Sequence, residues 1–529
     1  MSSPLEIDKL TAAELKGLVV ALLGQVSELQ RTVAALREEN ARLKSKPPRP
    51  DIKPSGMDPG TEPKAQEVSK KQKRRRGATR SKLTINKEQV VEVASPGEGW
   101  RFKGYTDYVV QDLVIQPNVI KYRCERWLTP EGKMVTAALP AGIRGHFGPE
   151  LQRFVLALYH TAQSTVARLT SLLRSTGIVI SKREVVRLLN EKHDNFVTEV
   201  RDTLRAGLST AAWITVDDTG ARHKAKNGYC THVGNDHFDW FGTTGSKSRL
   251  NFLELLRAGY DDYVINAQAL DYMRQRSLPI SVITRLADHP VTTFANRIEW
   301  MAHLEAQGIA APKVNPDQVT IATEGALWGS IKAHGFLSNT VIVSDDAGQF
   351  NVGLHALCWI HTERLVHGLD TFQECDRNAQ SSVRGQIWDY YAELKAFRRD
   401  PNPQLKPGLL TGFDNIFTKK TDFVMLDRQL KRLHANKPEL LMVLDRPEIP
   451  LHTNSSENAI RSHVTRRRIS AGTRSDLGRL SRDTFLSVSK TCAKVIVDFW
   501  DYLGARLYVP GSKLIPPLPD LVLALARPP

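Results

Sequence analysis

A chain of 529 residues is longer than one hydrophobic core usually serves, so several structural units are expected. Hydrophobic residues make up 41% and charged residues 25%, ordinary for a globular protein, and no apolar run reaches the ~18 residues of a membrane-spanning helix. The formal net charge of +16 is not ordinary: it calls for a polyanionic partner, nucleic acid first, or else serves solubility alone.

Met1 to Lys9 carry no basic stretch followed by an apolar one, so no secretory signal is expected. Cys124, Cys230, Cys358, Cys375 and Cys492 stand at unpaired spacings, which fits a reducing compartment and a cytoplasmic protein. Leu15, Leu22, Leu29, Leu36 and Leu43 recur every seven residues, and Val19, Val26, Val33 and Asn40 follow the first four of them by four. Valine at a, leucine at d and one Asn at a form the pattern of a parallel two-stranded coiled coil. Residues 1–45 are therefore expected to be a dimerisation zipper, the alternative being an amphipathic helix packed on the protein's own body.

Residues 46–90 change character. Pro47, Pro48, Pro50, Pro54, Pro59 and Pro63, with few apolar residues among them, predict a disordered linker. Thirteen Lys and Arg face four Asp and Glu between Lys44 and Lys82, so +9 of the +16 falls here. The stretch culminates in Lys70, Lys71, Lys73, Arg74, Arg75 and Arg76, a run that attaches to phosphates without reading sequence, or is merely solvated. A leucine-zipper regulator would place its basic helix before the zipper and continuous with it, which this order and these prolines oppose.

Residues 91–145 carry short apolar stretches, Val109-Val110, Val114-Ile115 and Val119-Ile120-Lys121-Tyr122, that predict a small β-rich unit. Residues 146–205 turn helical. Phe154, Leu158, Val166, Leu169 and Leu173 fall at helical spacing, Gly177 breaks the pattern, and Ser181-Lys182-Arg183-Glu184 opens the next helix with a capping-box signature. Helix, glycine turn and capped helix bearing Lys182, Arg183 and Arg187 read as a DNA-binding helix-turn-helix or as plain helical packing.

Residues 206–500 hold the acids. Trp213 to Gly220 reads as a buried strand ending in Asp217-Asp218, and Tyr229–Val233 and Phe238–Gly242 complete an antiparallel meander. Asn339 to Asp346 repeats the strand-then-acid pattern, and Glu457 lies at a helix start, Pro450 to Arg461. Aspartate disfavours strand interiors, so acids twice placed at strand ends point to a site at a sheet edge. Magnesium takes oxygen ligands, and two ions about 4 Å apart serve in-line phosphoryl displacement. Asp217 between the ions, with Asp345 on one and Glu457 on the other, would supply that charge. The bland alternatives are strand-end turns at both Asp pairs and a capping box from Asn454 to Glu457.

Asp217-Asp218-Thr219-Gly220, Ser344-Asp345 with Leu357-Cys358-Trp359-Ile360-His361, and Pro450 to Glu457 through Arg467 to Ser475 together resemble the transposases of the insertion-sequence sixty-six family. The resemblance spans about residues 10 to 500. It departs at Thr453, where the family has the first Asn of a pair, and in lacking the Cys-x-x-Cys pairs that often follow the basic linker. It implies a multidomain α+β protein whose zipper, linker and helix-turn-helix precede a ribonuclease-H-like mixed α/β catalytic domain. That domain would carry a helical insertion near 370–448; residues 260–339 are expected to be a further insertion, longer than the resemblance leads one to expect, and residues 501–529 a tail. It implies a DDE transposase using Asp217, Asp345 and Glu457 with two magnesium ions (Mg2+), or Mn2+ in their place. Its partners would be the terminal inverted repeats and target DNA, a second copy or higher oligomer, and accessory proteins of the same element.

Asp346, or more distantly Asp261 or Asp262, competes for the role of Asp345. His355, Cys358 and His361 stand three residues apart and read as a packed helix beside the site rather than as a zinc centre, since no fourth ligand is evident. Arg461, Arg466, Arg467 and Arg468 follow Glu457 closely, either to grip the scissile phosphate or as a solvated basic helix. Two rival functions remain: a transposase-derived DNA-binding regulator without chemistry, and a ribonuclease-H-type nuclease that cuts without joining.

Overall fold

The structure is a computed structural model that describes residues 17, 19, 24, 26, 84–94, 99–309 and 317–526. Leu15, Leu22, Leu29, Val33, Leu36, Asn40 and Leu43 of the expected zipper lie outside these residues, as does the basic run from Lys70 to Arg76. Val19 and Val26 are helical and exposed. The chain divides into two compact units, Met1–Val114 and Ile115–Pro529. Among the described residues no helix is long and apolar enough to cross a membrane.

Of the β-rich unit expected over 91–145, the described residues form only a hairpin. The described residues of 84–114 hold no strand, and Trp100, Phe102, Tyr108 and Val110 are exposed. In the second unit the same span yields only a hairpin, β1 (Arg126–Leu128) paired antiparallel with β2 (Met134–Thr136), exposed throughout. Doublets such as Val109-Val110 send one side chain to each face of a strand and so build no apolar face.

Four helices follow: α1 (Pro149–His160), α2 (Val166–Ser175), α3 (Lys182–Asn190) and α4 (Asp194–Thr210). The single helix expected from Pro149 to Leu173 is split where Gln163 takes a φ of 52° and Thr165 caps α2 by accepting from Arg168 N–H. Ser181 caps α3 as predicted, its Oγ accepting from Glu184 N–H at 3.1 Å. Val185, Leu188 and Leu189 are the buried face of α3. Lys182 and Arg183 are exposed, while Arg187 is engaged by Glu184 and Glu191.

The meander is as expected: β3 (Trp213–His223), β4 (Lys226–Gly234) and β5 (Asp239–Thr244) pair antiparallel in turn. β8 (Val341–Ser344) joins β3 in parallel and β9 (Leu354–Leu357) joins β8 in parallel, giving the order β5-β4-β3-β8-β9. Between β5 and β8 lie α5 (Arg249–Leu256), β6 (Tyr263–Val264), α6 (Ala267–Gln275), α7 (Ile280–Ala287), β7 (Thr293–Phe294), α8 (Arg297–Ala306) and α9 (Gln318–Ala333). After β9 come α10 (Trp359–His367), α11 (Glu374–Arg399), α12 (Lys406–Phe417), α13 (Val424–Ala435) and α14 (Lys437–Leu440). The sheet separates two cores by the alternation of its strands. Ile214, Val216 and Ile342 pack with α5–α9, whereas Val341 and Val343 pack with the helices after β9. The aromatic stripe of α11 belongs mainly to the second core: Tyr390, Leu394 and Phe397 are buried and Trp388 is exposed.

α15 (Asn454–Ser470) lies against β3 and β4, and α16 (Asp476–Lys494) against β5 and α4. The turn between them is tied to the end of β3, Thr473 N–H donating to Arg222 O at 2.9 Å and Lys224 N–H to Thr473 O at 2.8 Å. A Cβ on Gly472 would sit 2.3 Å from Arg222 O, which explains the glycine. The expected tail over 501–529 is instead packed structure, α17 (Phe499–Arg506) and α18 (Leu518–Ala526). Glu199 of α4 anchors it, accepting from Tyr502 Oη, Arg506 Nε and Leu518 N, each at 2.8 Å. Tyr502, Leu503 and Leu518 are fully buried there against Phe196 and Phe485.

Candidate active site

Asp217 is not at a strand end. β4 pairs with β3 along its whole length, Asp217 facing His232 and Asp218 facing Thr231, so the acids stand mid-strand. Cross-strand pairing there outweighs the poor strand propensity of aspartate. Asp345 directly follows β8, as expected. Thr215 pairs in parallel with Val343, so the register carried two residues onward sets Asp217 beside Asp345. Burial is the main cause that pushes the Asp217 carboxyl up to about 6, and the Asp345 and Asp218 charges add to it. The Asp218 N–H, donating to Asp217 Oδ1 at 2.7 Å, and His361 pull the other way.

The third acid comes from α15. The N-cap of that helix is Thr453, and its side chain makes no capping bond. The capping box read from Asn454 to Glu457 is therefore absent: Asn454 is already the first helical residue, which leaves the Glu457 carboxylate free of the helix end. Ser456 Oγ, buried, donates to Thr215 Oγ1 at 2.7 Å and pins this first turn to β3 two residues before Asp217. Glu457 turns toward α10, where Arg364 Nη1 and Nη2 donate to its two oxygens at 2.6 and 3.4 Å. His361 Nε2 lies 3.5 Å from Glu457 Oε1. The Arg364 contact holds Glu457 below the usual carboxylate range.

His361 is the common neighbour of all three acids, its charge acting on Asp217 and Glu457 and feeling that of Asp345. Its pKa is raised, chiefly by a hydrogen bond with Cys358. Cys358 opens α10, accepts Thr453 N–H at 3.4 Å and donates its own N–H to Ser344 O at 2.8 Å, so one residue ties α10, β8 and α15 together. His355 stands apart, its ring bound to Ser344 Oγ at 2.7 Å and Glu439 Oε1 at 2.9 Å. No metal cluster of His355, Cys358 and His361 exists among the described residues.

The competing acids have partners of their own. Asp346 is exposed and paired with Arg432. Asp262 accepts from Ser330 Oγ at 2.9 Å and abuts His334, and Asp261 is exposed beside it. Asp218 is held by Lys247 Nζ at 2.5 Å and Gln349 Nε2 at 2.9 Å. The four arginines of α15 divide. Arg461 and Arg468 are exposed. Arg466 is buried, donates to Ser164 O at 2.9 Å and stacks 3.8 Å over Tyr159, so it cannot grip a phosphate as expected. Arg467 is likewise spent on Gly220 O. The reason is helical period: Ser456, Ala459, Ile460, His463 and Arg466 share the buried stripe. Sequence reasoning set His361 on a packed helix beside the site without giving it a part there, and missed Arg364 and Lys247. The i, i+3 spacing of Cys358, His361 and Arg364 on one helix was the available signal.

A family model described as Transposase IS66 family matches residues 331–480. That span runs from the end of α9 into α16 and includes Asp345, His361, Arg364 and Glu457. An uncharacterized protein, y4jO, of Sinorhizobium fredii (strain NBRC 101917 / NGR234) is 46% identical over 323 residues, which are 61% of this chain and 100% of that protein. The chain belongs to the IS66 transposase family. In this IS66-family chain the first acid, Asp217, lies upstream of the matched span, and its link to the other two rests on the β3–β8 pairing.

Proposed function

We propose that this protein is a DDE-type DNA transposase in which Asp217, Asp345 and Glu457 hold two magnesium ions, with manganese able to replace them. The observation that carries the reading is the convergence of the three acids, from β3, the end of β8 and the first turn of α15, around His361 in an IS66-family chain. Oxygen-only carboxylate donors fit such ions, and Asp217, Asp345 and Glu457, whose ligand oxygens do not all lie within 4.8 Å of one another here, would have to close on them. Asp217 and Asp345 are neighbouring, half-buried carboxylates; burial chiefly, and then their mutual repulsion, raises Asp217, and a cation there would relieve both. Bound there, the ions supply activation of the attacking oxygen and neutralisation of the leaving one. Glu457 would hold an ion in place of its present partner Arg364, whose half-exposed guanidinium would then be free for a DNA phosphate. The antiparallel meander extended by two parallel strands supports a ribonuclease-H-like catalytic domain.

The DNA partners are the terminal inverted repeats of the element and its target, and the zipper residues serve a homodimer or higher oligomer. The test is incubation of labelled element-end DNA with the full chain, magnesium and any accessory proteins of the element. Nicked ends bearing 3′ hydroxyls and then joined products are expected. Specific binding without cutting would make the chain a regulator, and cutting without joining a nuclease.

The basic run supplies a separate expectation. Deleting Lys70 to Arg76 removes six cations. The slope of log binding constant against log salt should then fall by about three to five. An unchanged slope, measured by fluorescence anisotropy, would show that this run is not the phosphate anchor.

A further inference from the structure

Beyond the acidic cleft, β4, α15 and α16 meet at a second cluster of metal-ligating side chains. The Sγ of Cys230, a ring nitrogen of His463 and a carboxylate oxygen of Asp483 all lie within 4.8 Å of one another. The three residues are buried, with exposures of 0%, 1% and 7%. Neither ring nitrogen of His463 has a hydrogen-bond partner among the described residues. A buried imidazole that spends neither nitrogen is a costly arrangement in a protein interior. It sits on the same buried stripe of α15 as Ser456, Ala459 and Ile460.

We propose that Cys230, His463 and Asp483 form a second, structural metal site that takes zinc or a similar borderline-soft divalent ion. Thiolate, imidazole and carboxylate are the ligand types of zinc, whereas magnesium prefers oxygen alone, so this cluster and the acidic cleft select different ions. Tetrahedral zinc spaces such ligand atoms about 3.3–3.8 Å apart, and the cluster reaches that by closing about 1 Å through side-chain rotation. Binding requires the Cys230 thiol to lose its proton to solvent. Thiolate and carboxylate supply two negative charges against the ion's two positive ones, the carboxylate being shared with Arg482. With no hydrogen bond at either ring nitrogen, His463 has a lone pair to offer an ion. Asp483 now accepts from Thr243 N–H at 3.0 Å and from Arg482 at 3.3 Å, contacts that orient it and leave further lone pairs. The three protein ligands leave one position for water. An ion here clamps α15 to β4 and α16 six residues beyond Glu457, which fixes the helix that carries the third acid.

The test uses the full chain, stripped of metal and then equilibrated with zinc or cobalt(II). One zinc per chain is expected after dialysis, and the cobalt form should show a near-ultraviolet thiolate-to-cobalt absorption with the visible bands of tetrahedral cobalt. Both signals should persist in Asp217→Asn with Asp345→Asn and in Cys358→Ala, and vanish in Cys230→Ser and His463→Asn. Failure of the wild type to retain either ion, cobalt bound without the thiolate band, or retention in Cys230→Ser would each overturn the site. The wild-type spectrum decides even where a variant fails to fold. Cleavage activity plays no part in these readouts, so they stand apart from the transposase reading.

Discussion

Asp217→Asn, Asp345→Asn and Glu457→Gln are each expected to bind element-end DNA as the wild type does and to cut it on the order of a thousandfold more slowly. Each change preserves shape and removes one negative charge from a site that must offset two divalent ions. Losing several kcal/mol of transition-state stabilisation corresponds to that factor. In Asp217→Asn the side-chain amide oxygen can still accept the Asp218 N–H as the carboxylate does, so the strand is not disturbed. Gel shift and cleavage of the same labelled DNA check both halves. Variants that bind and cut normally would move the chemistry to other acids. The pH profile adds a second signature. With Asp217 at about 6 in the metal-free chain, protons and ions compete for it. At limiting magnesium, cleavage should rise as pH passes through about 6, and added magnesium should shift that rise to lower pH.

The same carboxyl predicts a stability effect of opposite sign. A folded-state value of about 6 against the ordinary 3.8 means that the folded chain holds the proton more tightly than the unfolded one. The stability this gives wild type is present below about 3.8 and lost as pH rises through about 6. Metal-free Asp217→Asn, which never carries the charge, should therefore be more stable than wild type at about pH 8, by about 1–3 kcal/mol. The gain should vanish by about pH 4. Magnesium should stabilise the wild type and leave the variant nearly unmoved, reversing their order. Urea titrations at the two pH values, with and without magnesium, read this directly. A variant less stable than wild type at the higher pH would mean that Asp217 is already paired in the fold.

What the sequence disclosed and what it hid follow one distinction. Local signals held where local forces decide: Ser181 caps its helix, the meander strands pair in order, and Asp345 follows its strand. They failed where tertiary contacts override them. Asp217 lies mid-strand because β4 pairs beyond it, and Glu457 escapes the capping box because the helix begins one residue earlier than Asn454 as a cap would require. Arg466 stands in a basic run, and charge alone hides that it lies in register with His463 and Ile460 on the buried stripe. The C-terminal helices looked like a tail because their anchor, Glu199, is some 300 residues away in sequence, a separation no local pattern crosses. The pairing of Arg364 escaped for the same reason: its partner Glu457 is 93 residues away.

Trp359→Ala should cost about 3–5 kcal/mol of stability, the range for removing a buried aromatic side chain. The indole is 2% exposed and packs on Tyr390, Phe413 and Phe417 of the helices inserted after β9. Its Nε1 donates to Leu440 O at 3.0 Å, so truncation also leaves that carbonyl without its partner. Trp359 is the first residue of α10, two before His361 and five before Arg364, and its backbone N–H donates to Leu451 O at 2.9 Å. The side chain thus sets the angle at which α10 presents His361 to the acids. Trp359→Phe keeps most of the packing and loses the hydrogen bond, so it should cost about 1–2 kcal/mol and retain cleavage. The pair separates anchoring from chemistry: below its melting transition Trp359→Ala should cut slowly, whereas Trp359→Phe should cut nearly as wild type. Urea midpoints and cleavage rates measured side by side would decide it. An alanine variant as stable as wild type would mean that α10 is held by other contacts, and a phenylalanine variant as inactive as Asp345→Asn would give the indole a direct part in the reaction.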